Sequence, residues 1–325
     1  MGSEQKHEIG LTATAESSAK PTVCFLGPVS SHTHQATLNT FPTDKFDLIP
    51  VETIKDIFDT TQSGGADYGV VPFENSSNGS VVFTLDQFAD RAGEYPDLSV
   101  CAEVYLDVHH CLLGHPAPGG LLTHVRRVYS HPQAFGQCVG FVREQLRGVE
   151  TVDVSSTSRA AALAKADASG SSAAVSSAAA AKLLGLDVLA RDIEDRADNT
   201  TRFFVLRRGS GPTAKELEGM LAGRRRGADE ERDGYSRSKS LASFTVPHRA
   251  PGALADVLEC FRRARLNLTS INSRPSLAQP FQYVFFVEFE GHRFRDPEGR
   301  VRDALDSAAA VARSCRWLGS WDNMR

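Results

Sequence analysis

From about residue 22 to residue 208, short apolar runs alternate with amphipathic or alanine-rich stretches. Runs of strand length lie at 23–26, 47–51, 68–71, 100–108, 125–129, 149–154, 173–175 and 202–206. Helical patterns fall between them at 31–40, 53–63, 79–90, 131–146, 157–168 and 176–184. That rhythm predicts an α/β sheet region. Thr53 and Asp56 are spaced as a capping box at one helix start, and the alanine-rich segments 160–164 and 178–181 have high intrinsic helix propensity. The pattern breaks over 209–239, where Gly, Pro, Ser and charges of both signs mix. This segment reads as a linker or insertion, flexible at least in part. Beyond it the pattern gives a strand at 240–246, a helix at 252–264, a strand at 266–273, a strand at 281–290, a helix at 300–312 and a strand at 316–321. Tyr283, Phe285, Val287 and Phe289 alternate onto one face of the fourth element. The order is βαββαβ, a ferredoxin-like unit of roughly 80 residues.

Composition narrows the function classes. A length of 325 residues suggests about two domains, each able to bury a core. Hydrophobic content of 41% with charged content of 23% is that of an ordinary soluble globular protein, and a net charge of -4 gives no basis for a nucleic-acid or anionic-membrane partner. Arg224-Arg225-Arg226 does not alter this, because acidic residues 229–231 follow at once. No run approaches the roughly 18 apolar residues that cross a bilayer. Residues 1–21 are polar, without the apolar core of a signal peptide or the arginines of a transit peptide, so a disordered tail on a cytoplasmic protein is expected. The six cysteines are scattered without a C-x-x-C pair and read as reduced thiols. The sequons, such as Asn75-Ser76-Ser77, are then not glycosylation sites. No P-loop or G-x-G-x-x-G is present, and His and carboxylates do not cluster at ligand spacing, so neither a cofactor nor a metal is indicated.

Four segments carry candidate chemistry. Val71-Pro72-Phe73-Glu74-Asn75-Ser76 ends a strand and leads through Asn78-Gly79-Ser80 into a helix. Ligands of α/β sheets sit beyond such strand ends, near helix N-termini whose free N–H groups attract anions. A helix cap with an Asn-Gly turn would account for the same residues. Ser130-His131-Pro132-Gln133 repeats the transition, with Pro132 suited to the first helical turn and His131 open to capping, orienting or acid–base roles. Ser155-Ser156-Thr157-Ser158 places four hydroxyls at a third helix start, where capping needs one. In Asn199-Thr200-Thr201-Arg202-Phe203 a hydroxyl and a guanidinium enter an apolar strand. Alternation puts Thr201 and Phe203 on one side and Arg202 on the other, although twist at a strand entrance can bring both polar groups to one cleft. Together these ends fit a site that grips a polyanionic small molecule.

The segments at 71–81, 130–134 and 199–203, in this order, resemble the motifs of prephenate dehydratases, and the likeness extends over roughly residues 22–208. The unit beyond the linker resembles the regulatory ACT domain of that family through Pro251-Gly252-Ala253-Leu254, Leu266-Asn267-Leu268-Thr269-Ser270-Ile271-Asn272-Ser273-Arg274-Pro275 and Phe285-Phe286-Val287-Glu288. The resemblance implies a two-lobed fold like that of periplasmic binding proteins, with lobes at 22–100 plus 190–208 and at 101–189, a linker at 209–239 and an ACT domain at 240–325. It implies decarboxylative dehydration of prephenate to phenylpyruvate without a cofactor, feedback by phenylalanine, and a homodimer or homotetramer formed through the ACT domain. Thr201 would assist the leaving hydroxyl and Arg202 would hold the side-chain carboxylate. Asn75, Ser76, Ser80, His131, Gln133, Ser156, Thr157 and Phe203 would line the substrate site. Gly252, Ala253, Leu254, Asn272, Ser273, Arg274 and Pro275 would bind the effector.

Two positions depart from the family pattern. Gly27-Pro28 is followed by Val29-Ser30-Ser31-His32-Thr33 where Gly-Thr-Phe is usual, and Asn272 stands where the regulatory motif has Glu. Arogenate is an alternative substrate for the same chemistry, and a non-catalytic amino-acid sensor is an alternative class that leaves Thr201-Arg202 without a task. A chorismate mutase domain is not expected ahead of residue 22.

Overall fold

The protein is seen as a computed structural model that describes residues 20–120, 122–209, 219 and 235–325. The expected tail and linker lie largely outside the described residues. Three parallel strands, β1 (Thr22–Leu26), β2 (Asp47–Val51) and β3 (Tyr68–Asn75), begin the first lobe, with helices α1 (His32–Thr40) and α2 (Ile54–Ser63) between them. The capping box at Thr53 and Asp56 is formed and starts α2. After β4 (Gly79–Ser80) and α3 (Val82–Ala89), β5 (Leu98–Asp107) completes the outward half of this lobe.

The second sheet has the order β10-β6-β9-β7-β8, built from β6 (Cys111–Gly114), β7 (Arg127–Ser130), β8 (Glu150–Asp153), β9 (Ser172–Ser176) and β10 (Asp187–Ala190). Helices α4 (Pro132–Gly136), α5 (Val139–Gln145), α6 (Thr157–Ala166) and α7 (Ala178–Leu184) connect these strands. The chain returns to the first sheet as β11 (Thr200–Arg208), antiparallel to both β3 and β5. Two lobes joined by two crossovers result, as expected. The boundary at 101 does not hold, because it falls inside β5, and the whole strand pairs with β11 in the first sheet. Its first seven residues are buried, as in a central strand covered on both faces, with Ser99 and Glu103 the polar members among them.

The C-terminal unit runs β12 (Ser238–Thr245), α8 (Ala253–Arg263), β13 (Leu268–Pro275), β14 (Tyr283–Glu290), α9 (Arg300–Val311) and β15 (Ser314–Asp322). Its sheet has the order β13-β14-β12-β15 and is antiparallel throughout, so the βαββαβ unit is present. The hydrophobic pattern gives no sign of how this module joins the first lobe. Strand β15 lies parallel to β5 through Gly319 and Val100, and module and lobe share one ten-stranded sheet. Gly319 has φ 149, and a Cβ there would fall on the Val100 backbone. Trp321, 1% exposed, packs on Phe204 at 4.9 Å between ring centroids, tying the two cores together. All six cysteines are unpaired, five of them buried.

A buried ion cluster fixes the same junction. Arg202 of β11 pairs with Glu103 of β5 at 2.7 Å and with Glu288 of β14. Lys239 of β12 lies 3.4 Å from Glu103 and 3.7 Å from Glu288. The Met324 amide and the Thr269 hydroxyl donate to the remaining carboxylate oxygens at 2.9 and 2.7 Å. Burial alone would raise the Glu103 carboxyl, but Arg202 and Lys239 outweigh it and hold it below the usual range. Burial likewise opposes the charge on Arg202, and Glu103 and Glu288 keep it protonated.

Arg202→Ala leaves two buried carboxylates facing one lysine, and is expected to destabilise the protein by about 3–5 kcal/mol. Gly319→Ala is expected to destabilise it by more than about 1 kcal/mol, since the side chain has no room beside β5. Chemical denaturation followed by the fluorescence of Trp321 measures both.

Candidate active site

Between the lobes lies a cavity of about 540 Å³ lined by the loop after β1, the end of β3, the entrance of β11 and the helix starts of the second lobe. Ser31 caps α1, His131 caps α4 and Ser156 caps α6, each accepting a backbone N–H two or three residues on, and all three line the cavity. Three helix N-termini therefore open toward one volume and make it favourable to an anion. Among the described residues that line it there is no lysine or arginine, and Glu52 is the carboxylate.

Seven of the ten expected substrate-site residues line this cavity: Asn75, His131, Gln133, Ser156, Thr157, Thr201 and Phe203. Phe203 is 1% exposed and also belongs to the first-lobe core, so it serves as wall and core at once. His131 and Ser156 spend part of their hydrogen-bonding capacity on capping, to Gln133 and Arg159 amides at 3.2 and 3.0 Å.

The other three are elsewhere. Ser76 ties the turn to β11, donating to the Asp198 carbonyl at 3.1 Å and accepting from the Thr200 amide at 3.0 Å. Ser80 faces the βαββαβ module and donates to Asn272 at 2.7 Å. Arg202 corrects the expectation of a carboxylate clamp. Alternation along β11 wins over twist at its entrance, and the guanidinium points into the ion cluster on the face away from the cavity.

Thr201 is held by Asn75. The Asn75 Oδ1 accepts from the amides of Ser77 and Asn78, both at 3.0 Å, which fixes its Nδ2 as the donor group. That Nδ2 donates to Thr201 Oγ1 at 3.0 Å and to Asn199 Oδ1 at 2.8 Å. The Thr201 oxygen thus accepts one bond and keeps its own O–H to donate.

Sequence reasoning assigned no role to His32, His110 or Gln137, nor to Asn199 within the 199–203 segment. His32 and His110 line the cavity with rings 6.0 Å apart, edge to face. Burial, and then the charge of His110, pushes His32 down to about 4, and burial lowers His110 as well. Both are neutral imidazoles near pH 7. The departure at 29–33 was the available signal for His32, while nothing in one sequence marks His110 apart from its neighbour His109. In the same loop Ser30 adopts φ 80, the left-handed conformation that a glycine takes without strain. His109, Asp192 and Glu194 are the one group of described residues whose ligand atoms approach within 4.8 Å. His109 and Glu194 form an imidazole–carboxylate pair across the two lobe crossovers at 2.7 Å, the other Glu194 oxygen accepts the His110 amide at 2.8 Å, and Asp192 lies 3.7 Å from His109.

The expected effector residues divide in two. Gly252, Ala253 and Leu254 line a separate cavity of about 470 Å³ walled by Leu258, Tyr283 and Phe285. Gly252 is the cap of α8 with φ 85. Asn272, Ser273, Arg274 and Pro275 lie on β13, the edge strand, and do not line that cavity. Arg274 instead makes a two-point ion pair with Asp86 of α3, both at 2.9 Å, and Arg91 donates to the Pro275 carbonyl at 2.8 Å. Ser273 is exposed on the opposite face.

Comparison with known proteins bears on this arrangement. A bifunctional chorismate mutase/prephenate dehydratase from Aquifex aeolicus is 35% identical over 300 residues, covering 92% of this chain and 73% of that protein. The chloroplastic arogenate dehydratase/prephenate dehydratase 2 of Arabidopsis thaliana is 30% identical over 326 residues, or 96% of this chain and 75% of that one. The crystal structure of a prephenate dehydratase from Arthrobacter aurescens in complex with L-Phe matches with a TM-score of 0.77 and 30% identity, over 93% of this chain and 90% of the other. No helix among the described residues is long and apolar enough to cross a membrane. The model of the prephenate dehydratase family matches residues 23–210, which hold both lobes, the cavity between them and the Thr201 strand; the chain belongs to that family and is an enzyme of its kind.

Proposed function

We propose that this chain converts prephenate to phenylpyruvate in the interlobe cavity, with Thr201 as the donor to the leaving hydroxyl. The observation that carries this is the Asn75–Thr201 bond, which occupies the threonine oxygen and leaves its O–H for the substrate. The ring carboxylate departs as carbon dioxide, its bonding pair enters the ring, and the C–O bond at the far carbon breaks. The departing hydroxide takes a proton relayed through Thr201 from water. Aromatisation supplies the driving force, so orientation and selective stabilisation of charge are the tasks left to the protein. A threonine is a weak acid, and its contribution is a positioned hydrogen bond more than an ionisation. The helix N-termini capped by Ser31, His131 and Ser156 would hold the carboxylates, including the side-chain carboxylate expected to meet Arg202.

The βαββαβ unit is read as an ACT regulatory domain with phenylalanine as effector. The apolar cavity beside Gly252, Ala253 and Leu254 suits an aromatic side chain, and the remaining motif, Asn272 to Pro275, stands apart from it on an edge strand. A homodimer or homotetramer would bring the two halves together, and the chain is read as such an oligomer acting in the cytoplasm. One observation favours arogenate as a second substrate: Glu52 in the cavity offers a partner for its ammonium group.

Thr201→Ala is expected to lower kcat on prephenate about 10²-fold or more with the fold intact. Near-wild-type turnover in a folded variant would remove the assignment. Phenylalanine is expected to change the turnover of the wild-type chain, read alongside its mass by analytical ultracentrifugation. A monomer that still responds to phenylalanine would overturn the shared effector site. Parallel assays with prephenate and arogenate, following phenylpyruvate and phenylalanine, rank the two substrates.

A further inference from the structure

Helix α5 starts without a cap of its own. Cys138 precedes it, and that side chain bonds none of the free amides of the first turn. A carboxylate from far along the chain takes the role. Asp195, on the second crossover, accepts the Val139 amide on Oδ2 and the Gly140 amide on Oδ1, both at 2.9 Å. Its own amide donates to the Gln137 carbonyl at 2.7 Å. The corner between α4 and α5 is thus held on both of its sides by one residue. Gly140 fits this contact, because a Cβ there would stand 2.8 Å from Asp195 Oδ1 and displace the carboxylate.

That corner carries a side chain of the interlobe cavity. Gln137 lines the cavity, and its Oε1 accepts from Asn199 Nδ2 at 3.0 Å and lies 2.7 Å from His110 Nε2. Asn199 Oδ1 accepts from Asn75 Nδ2 at 2.8 Å, and the same Nδ2 donates to Thr201 Oγ1 at 3.0 Å. A continuous line of hydrogen bonds therefore runs from the α4–α5 corner of the second lobe to the Thr201 hydroxyl of the first. Asp195 and Asn199 stand four residues apart on one crossover. One short segment of chain thus fixes the Gln137 backbone and also bonds its side chain.

We propose that Asp195 is a positioning residue of the reaction, acting through Gln137. It sets the place of the Gln137 amide and, through Asn199 and Asn75, the direction in which Thr201 presents its hydroxyl. Asp195 does not itself line the cavity and moves no proton. Its effect is geometric, since a donor misplaced from its reacting atom loses much of its value even when the cause lies far from the chemistry. The assignment rests on the dehydratase reading.

Asp195→Ala removes both caps and is expected to lower kcat on prephenate about 10-fold, with KM held within about threefold. Asp195→Asn keeps one of the two acceptor oxygens and is expected to fall between that variant and wild type. In a Gln137→Ala background, Asp195→Ala is expected to cost no further kcat, within about twofold. Gly140→Ala, at a helical position where alanine is otherwise favoured, is expected to lower kcat as Asp195→Ala does, and to have no effect once Asp195 is alanine. Thermal unfolding of each variant reports whether it is folded. An equal loss from Asp195→Ala in both Gln137 backgrounds, a loss confined to KM, or no loss would overturn the proposal. Amide hydrogen exchange at Val139 and Gly140, read by NMR, is expected to quicken in Asp195→Ala, and unchanged exchange would overturn the clamp independently of turnover. A wild type that dehydrates neither prephenate nor arogenate would remove the dehydratase reading itself, which the exchange measurement leaves untouched.

Discussion

Arg202 and its three buried partners constrain the rest of this structure. Two cations and two carboxylates, all less than a tenth exposed, sit where β5, β11, β12 and β14 converge. Such a cluster is a poor source of stability in itself, since desolvation offsets most of the attraction, but removing one member leaves an uncompensated buried charge. Its effect is positional. Thr201 and Arg202 are adjacent on one strand and point to opposite faces, so anchoring the guanidinium on one side sets where the hydroxyl stands on the other. Glu288 and Lys239 come from the βαββαβ module, which makes that module part of the scaffold of β11.

With the guanidinium withdrawn, the cavity presents an anion with neutral donors and helix ends. This suits the chemistry. A cation clamped on the carboxylate that must leave as carbon dioxide would stabilise the ground state and resist the loss. Helix N-termini and hydroxyls hold a carboxylate more weakly, at about 0.3–1 kcal/mol for a terminus near solvent and more where water is excluded. A site built this way holds a dianion without trapping it.

The parts of this molecule that are legible in its sequence are those with local physical signals. Donor-rich strand ends mark a cleft because α/β sheets place ligands there, and Asn75, His131, Ser156 and Thr201 lie on it for that reason. The βαββαβ order is readable from periodicity alone. Arg202 is not, because two local rules compete at a strand entrance, and only its pairing with residues 86 and 99 positions away decides between them. Ser80 escapes a local reading for the same reason: its partner, Asn272, is 192 residues distant. The close approach of Gly319 to Val100 needs a glycine, but many glycines have simpler reasons. His110 gives no local signal, since nothing in its own segment marks it apart from its neighbour His109.

The ties between module and enzyme also limit how an effector can act. Asn272 holds Ser80, Arg274 holds Asp86, Glu288 holds Arg202, and Gly319 meets Val100. Each of these lands on the first lobe. Ser80 pairs with Glu74 in the short β3–β4 ladder, next to the Asn75–Gly79 pair whose asparagine holds Thr201. β13 and β14 are thus linked to the Thr201 strand along two routes, through the turn and through the ion cluster. Hinge closure would shift the whole second lobe, carrying His131 and Ser156 and the helix starts they cap. Strain delivered to the first lobe alone would instead act on Thr201 and Asn75 relative to those helix starts, and a hydrogen-bond donor displaced by a fraction of an ångström loses much of its effect on a reacting atom. The Asn at 272, a neutral amide in place of a carboxylate, accepts one hydrogen bond from Ser80 without adding charge beside Asp86, so the tie can form and release at low electrostatic cost.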